Sequence, residues 1–189
     1  MKGFSLIEIL IAVAIFTFVA MLSIGSLLIL TTAEKRVAGI QTSQDNVRFA
    51  VEAMAREIRT GALYRKDDHC GGSIDCFQFT NASKNGIVYK LSSDSTQCSP
   101  GTPSDSRCLL KSLGEVQPDG SFLFSTFNPL TGSDVSIDDL RFLLSGELSG
   151  GDDFQVRVTI IMRAVARKNT KNETKIDIQT TVSQLKLDI

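Results

Sequence analysis

Residues 3–30 read GFSLIEILIAVAIFTFVAMLSIGSLLIL. From Ile9 through Ala33 no residue is charged, and no proline interrupts the run. A helix crosses the hydrocarbon core of a bilayer with about 20 apolar residues, so this run is long enough to span a membrane. Glu8 stands at its start. A charge inside a span costs about 2.5–3.5 kcal/mol at the centre and less near an interface, so it ordinarily has a partner. The basic groups nearby in the chain are Lys2 and the amino terminus. If the first three residues were removed, Phe4 would carry a new α-amine four residues from Glu8, on the same helix face. Repeated between subunits, that amine–carboxylate pair would neutralise the buried charge and set the register of a helix bundle.

Three simpler readings compete. A secretory signal peptide would use Met1-Lys2 as its basic start and Thr31–Ala33 as a weak cleavage site, but this apolar run exceeds a usual signal core. A plain membrane anchor explains the length and leaves Glu8 unexplained. A buried helix of a soluble protein is rarely apolar all round for so long. Lys2 precedes the span while Lys35 and Arg36 follow it, so the positive-inside rule leaves the orientation open.

Gly3-Phe4-Ser5-Leu6-Ile7-Glu8 and the unbroken apolar run after it resemble the class III signal of type IV prepilins and type II secretion pseudopilins. The resemblance covers roughly the first 30 residues. It implies that a membrane prepilin peptidase cuts after Gly3 and methylates the amine of Phe4. It also implies that Glu8 serves subunit assembly by pairing with the amine of a neighbour. Ser5 stands where threonine is frequent. Major pilins usually carry a proline in the later apolar segment; none occurs here, which favours a minor subunit.

The helical pattern continues beyond Ala33. Val37, Ile40, Val47, Val51, Met54 and Ile58 form a stripe with one gap near Ser43-Gln44, and Gly61 is the expected stop. Glu52 and Arg56 are spaced as a favourable i,i+4 pair. One helix from about Phe4 to Thr60 would be about 85 Å long at 1.5 Å per residue. Heptads are not sustained, so the stripe predicts docking on a sheet rather than a coiled coil. Residues 45–59 resemble the helix end of J-type minor pseudopilins and W-type minor pilins.

From Ala62 onward the period is that of strands. β-prone runs occupy Ile74–Thr80, Gly86–Leu91, Cys108–Leu113, Ser121–Phe127, Val135–Leu144, Phe154–Val165 and Lys175–Leu187, separated by turn-rich stretches. Val156, Val158, Ile160 and Met162 alternate with Arg157, Thr159 and Ile161, and Ile176, Ile178, Thr180 and Val182 alternate with Asp177, Gln179 and Thr181. The expected fold class is therefore α+β, a long N-terminal helix packed on a mainly antiparallel sheet. The resemblance makes it pilin-like. The divisions expected are a leader at 1–3, a transmembrane or filament-core helix at 4–33, an amphipathic docked helix at 34–61 and an extracytoplasmic β-rich domain at 62–189.

The whole chain has 189 residues, with 20 Lys+Arg against 21 Asp+Glu and a net charge of −1, so it lacks the basic footprint of a nucleic-acid binder. Cys70, Cys76, Cys98 and Cys108 suggest disulfides and an oxidising compartment. Cys70 with Cys76 and Cys98 with Cys108 are the obvious local pairs, while three connectivities and a four-cysteine zinc site stay open. His69, the one histidine, sits beside Asp67-Asp68 and Cys70 and reads as loop polarity. Asp134, Asp138-Asp139 and Asp152-Asp153 could hold calcium, but none matches an EF-hand loop, so they read as solvated turns. Asn81-Ala82-Ser83 and Asn172-Glu173-Thr174 fit glycosylation triplets. No nucleophile elbow, phosphate loop or zinc-protease motif occurs.

The sequence thus predicts a non-enzymatic filament subunit without cofactor or metal. Its expected partners are prepilin peptidase, other pilin or pseudopilin subunits, an inner-membrane assembly platform and, before assembly, membrane lipid. Its expected location is the cytoplasmic membrane, with the C-terminal domain outside the cytoplasm, then a filament in the periplasm or at the cell surface. The alternative is a single-pass anchored binding domain that never polymerises.

Overall fold

The computed structural model describes residues 5–65, 70, 75–117, 121–146, 155–170 and 173–185. The chain divides into two units, Met1–Gly39 and Ile40–Ile189. The first consists, among its described residues, of Ser5 and the first part of helix α1 (Leu6–Arg59). Its side chains from Ser5 to Ala38 are exposed, apart from half-buried Ala20. No proline interrupts the helix, and the five hydroxyl residues of the apolar run bond back to the backbone. Thr17, Ser23, Ser26, Thr31 and Thr32 each donate to a carbonyl three or four residues earlier, at 2.8–3.1 Å. Each hydroxyl proton thereby has an acceptor within the helix, as an apolar environment demands.

The second unit begins with the remainder of α1, and its buried residues are Ser43, Val47, Ala50, Val51, Met54 and Ile58. Val37, expected in the stripe, is 52% exposed, and Ile40 is half-buried. The expected stop at Gly61 is close, since α1 ends at Arg59. The end is tied down three times. Tyr64 donates its hydroxyl to the carbonyls of Ile58 (2.7 Å) and Gly61 (2.8 Å). The Leu185 N–H donates to the Arg59 carbonyl at 2.8 Å. Gly61 is required by packing, because a Cβ there would lie 2.4 Å from the ring of Phe79.

Two antiparallel sheets follow. The larger contains β1 (Ala62–Arg65), β2 (Cys76–Thr80), β3 (Gly86–Leu91), β4 (Leu109–Val116), β5 (Phe122–Leu123) and β6 (Phe127–Pro129). Its order is β1-β2-β3-β4, with β5 and β6 both paired to β4 beyond β3. The smaller sheet is the meander β7 (Val135–Ser145), β8 (Arg157–Ala166) and β9 (Thr174–Ser183). The α+β class with mainly antiparallel strands is as expected. Six of the expected strand runs correspond to β2, β3, β4, β7, β8 and β9. The run Ser121–Phe127 is instead split between β5 and β6, and β1 was not expected.

One core joins α1 to both sheets. Val47, Ala50, Met54 and Ile58 pack with Phe77, Phe79, Ile87 and Tyr89 from the larger sheet and with Leu140, Phe142, Ile160 and Met162 from the smaller. Phe77 and Phe142 stack across the sheets with centroids 5.2 Å apart. On the other face of the larger sheet Cys70, Cys76 and Val88 form a second cluster with Phe124 and Phe127.

Candidate functional site

The N-terminal stretch presents an apolar surface to its surroundings. Leu6, Ile7, Ile9 and Leu10 are each more than half exposed, as are Phe16, Phe18, Met21, Leu22 and Leu27–Leu30 further along. Soluble monomers rarely show continuous apolar surface on this scale, and the segment is compatible with a single-pass membrane anchor. Among the described residues this is the one helix long and apolar enough to cross a membrane.

Glu8 lies in the first turn of α1 and is exposed. Its N–H donates to the Ser5 carbonyl at 3.0 Å, as does that of Ile9 at 3.3 Å. Ser5 and Glu8 also have capping-box spacing, a pattern in which the side chain at position 8 can serve the free N–H groups of a helix start. That role needs a hydrogen-bond acceptor at position 8 but no partner amine. Gly3 and Phe4, the expected cleavage and methylation positions, lie outside the described residues.

Two polar contacts, neither anticipated from sequence, fix α1 to the rest of its unit. Asp134 accepts from the Ser43 hydroxyl at 2.8 Å and from the Asn46 amide at 2.9 Å. Gly132 leaves space for this contact, since a Cβ there would lie 2.8 Å from the Asn46 amide nitrogen. Three to four turns later Glu57 accepts from the Tyr89 hydroxyl at 2.6 Å and pairs with Lys111. Burial, reinforced by the hydrogen bond and charge of Glu57, pushes the Tyr89 hydroxyl well above the usual tyrosine range. The only sequence signal for either contact was the gap in the apolar stripe at Ser43.

The four cysteines are joined as Cys70–Cys76 and Cys98–Cys108, the two local pairs. The acidic candidates do not converge. Asp134 is engaged as described, Asp138 faces Lys168 at 3.4 Å and Asp139 faces Arg141 at 3.0 Å. Among the described residues no three of His, Cys, Asp or Glu are grouped to hold a metal ion. Asn81 accepts through Oδ1 from the N–H groups of Ser83 and Asn85, both at 3.0 Å, and so shapes the β2–β3 turn. Asp67, Asp68, His69, Asp152, Asp153 and Asn172 lie outside the described residues.

No family model, curated protein or solved structure matches this chain.

Proposed function

We propose that this chain is a minor pilin-like structural subunit, which after prepilin peptidase processing assembles into a type II secretion pseudopilus or type IV pilus and helps to initiate or cap it. One combination carries the reading: Gly3-Phe4-Ser5-Leu6-Ile7-Glu8 leads directly into a helix that is apolar and exposed around its circumference. The short N-terminus lies in the cytoplasm and the β-rich body outside it, where disulfides persist. Cleavage after Gly3 gives Phe4 an α-amine, which is then methylated. Glu8 of one subunit meets the amine of its neighbour. The apolar segment leaves the bilayer for a bundle of like helices, so burial in protein replaces burial in lipid. Prepilin peptidase, sibling subunits and an inner-membrane assembly platform are the partners. The chain itself has no catalytic role.

The back-bonded hydroxyls of the span suit lipid as well as a helix bundle, and this favours a second reading, a permanently anchored binding domain. Mass spectrometry of the mature N-terminus, in cells with and without prepilin peptidase, separates the two. The filament reading expects a methylated Phe4 terminus that disappears without the peptidase. A terminus at Met1 or Lys2 in both strains overturns it and leaves the anchor.

A further inference from the structure

Strand β9 is an edge of the smaller sheet, and its far side is open. It pairs with β8 alone, over 10 residues and without a bulge. The Gln184 N–H donates to the Val156 carbonyl at 3.1 Å. In this antiparallel register the even-numbered residues of β9 therefore exchange their N–H and C=O bonds with β8. The backbone groups of Lys175, Asp177, Gln179, Thr181 and Ser183 point the other way. Among the described residues no backbone bond meets them.

The core beneath this edge is also incompletely covered. Val158, Ile160, Met162 and Ala164 on the inner face of β8 are fully buried, as are Val135, Ile137, Leu140 and Phe142 of β7. On β9 only Val182 is buried, whereas Ile176 and Ile178 pack on the core yet stay half-buried. Proteins ordinarily blunt a long edge with proline, a bulge, an inward charge or a covering element. Strand β9 has no proline, bulge or inward charge. Its one blunting residue is Lys175, exposed near the hairpin end and without an ion-pair partner among the described residues. Asp177, by contrast, is engaged by Arg163 at 2.9 Å.

We propose that the free edge of β9 is a docking site for an extended segment of a partner protein, which adds to the sheet as an antiparallel fourth strand. A row of outward N–H and C=O groups is matched by a main chain in the same extended conformation. The segment carries apolar side chains at alternate positions, which cover Ile176 and Ile178, and an acidic residue opposite Lys175. A second copy of this chain fits less well. Strand β9 paired with itself about Gln179 would set Lys175 opposite Ser183 and Asp177 opposite Thr181, leaving both charges unmatched. The inference concerns the β-rich body and does not depend on the filament reading.

The test uses the full chain in detergent and, as probe, a synthetic peptide with the sequence of β8, residues 157–166, whose alternation matches that of β9. Amide hydrogen exchange is followed residue by residue with and without the peptide. Exchange at Lys175, Asp177, Gln179 and Thr181 should slow about tenfold or more, while Ile176, Ile178 and Thr180, already bonded to β8, change little. A peptide carrying Val165→Glu, which places an acid opposite Lys175, should bind more tightly. In the protein, Gln179→Pro removes an outward N–H that the fold does not use. It should weaken peptide binding about tenfold, the effect of roughly one hydrogen bond, and leave exchange at the even-numbered positions unchanged. Should that variant fail to fold, the alternation in the unaltered chain decides alone. Equal slowing at odd and even positions marks adhesion to the apolar face and overturns the proposal, as does no slowing at saturating peptide. Slowing in the chain alone that grows with its concentration assigns the edge to a second copy and overturns it as well.

Discussion

Ser43 donates its hydroxyl hydrogen to Asp134 at 2.8 Å, joining α1 to the start of β7 across 91 residues of sequence. Ser43 is fully buried, and the same carboxylate also holds Asn46. Asp134→Ala would remove the carboxylate that accepts from both donors, at a cost of about 1–3 kcal/mol. Asp134→Asn should cost less, because the amide oxygen still accepts from Asn46 and its N–H can donate to the Ser43 oxygen. The check is urea unfolding of the full chain in detergent. The two residues act as one unit, so the double variant Ser43→Ala/Asp134→Ala should lose less than the sum of the single losses, by about 0.5–3 kcal/mol. Strict additivity would remove the contact from the account of stability.

That contact also shows where sequence reading stops. Periodicity sees apolar residues, so it placed Val37 in the docked stripe and left a gap at Ser43. The structure fills the gap with a buried hydroxyl whose partner is far away in sequence, a relationship without any local signal. The long helix and strands β8 and β9 were legible, because apolar period over ten or more residues survives local exceptions. Strand β1 was not, since four residues are too few for a period and Leu63 within it turns at φ 53°. The run from Ser121 to Phe127 looked like one strand because phenylalanines dominate it. It is two short strands whose rings cover the outer face of β3 and β4. The apolar N-terminal run was legible from composition alone, whereas Glu57, Tyr89 and Lys111 become a unit only through the β3–β4 register.

Tyr89 makes stability depend on alkaline pH. It is fully buried and donates to Glu57, so the fold favours the neutral phenol, first through burial and then through the neighbouring carboxylate. Its folded-state proton affinity exceeds that of the unfolded chain, in which tyrosine titrates near pH 10. The stabilisation is complete below about pH 10 and declines above it by about 1.4 kcal/mol per pH unit, because the unfolded chain there binds fewer protons. Unfolding midpoints measured from pH 8 to 11 should therefore fall at the alkaline end. Tyr89→Phe should flatten that limb. An equally steep limb in the variant would assign the dependence to other groups.

Glycine at two positions makes room for the rings on the outer face of the larger sheet. A Cβ at Gly86 would lie 2.6 Å from the Phe122 ring, and one at Gly114 the same distance from Phe124. Gly86→Ala should cost about 1–3 kcal/mol by overpacking. In a Phe122→Ala background the same change should be nearly neutral, since the obstructing ring is gone. Thermal unfolding of the four chains gives the comparison. An unchanged penalty in that background would place the strain in the backbone of β3 instead.

Glu8 separates the two readings of the N-terminal helix by the sign of its effect. In a permanent anchor no partner amine is created for the carboxylate, so Glu8→Leu should leave membrane localisation intact or improve it, the charge having cost up to about 2.5–3.5 kcal/mol at full depth. In a filament subunit the same carboxylate meets the amine created at Phe4, so Glu8→Leu should be cleaved and methylated yet fail to leave the membrane for the filament fraction. Glu8→Gln refines the result. It retains an acceptor at the capping-box position and so preserves the local helix start, but it lacks the negative charge that a neighbouring amine requires. Loss of assembly in both variants, with normal processing, therefore assigns the role to charge pairing between subunits. Assembly that survives Glu8→Gln but not Glu8→Leu assigns it to the helix cap. Fractionation of membranes and sheared filaments, with the N-terminal mass measured on each fraction, distinguishes these outcomes.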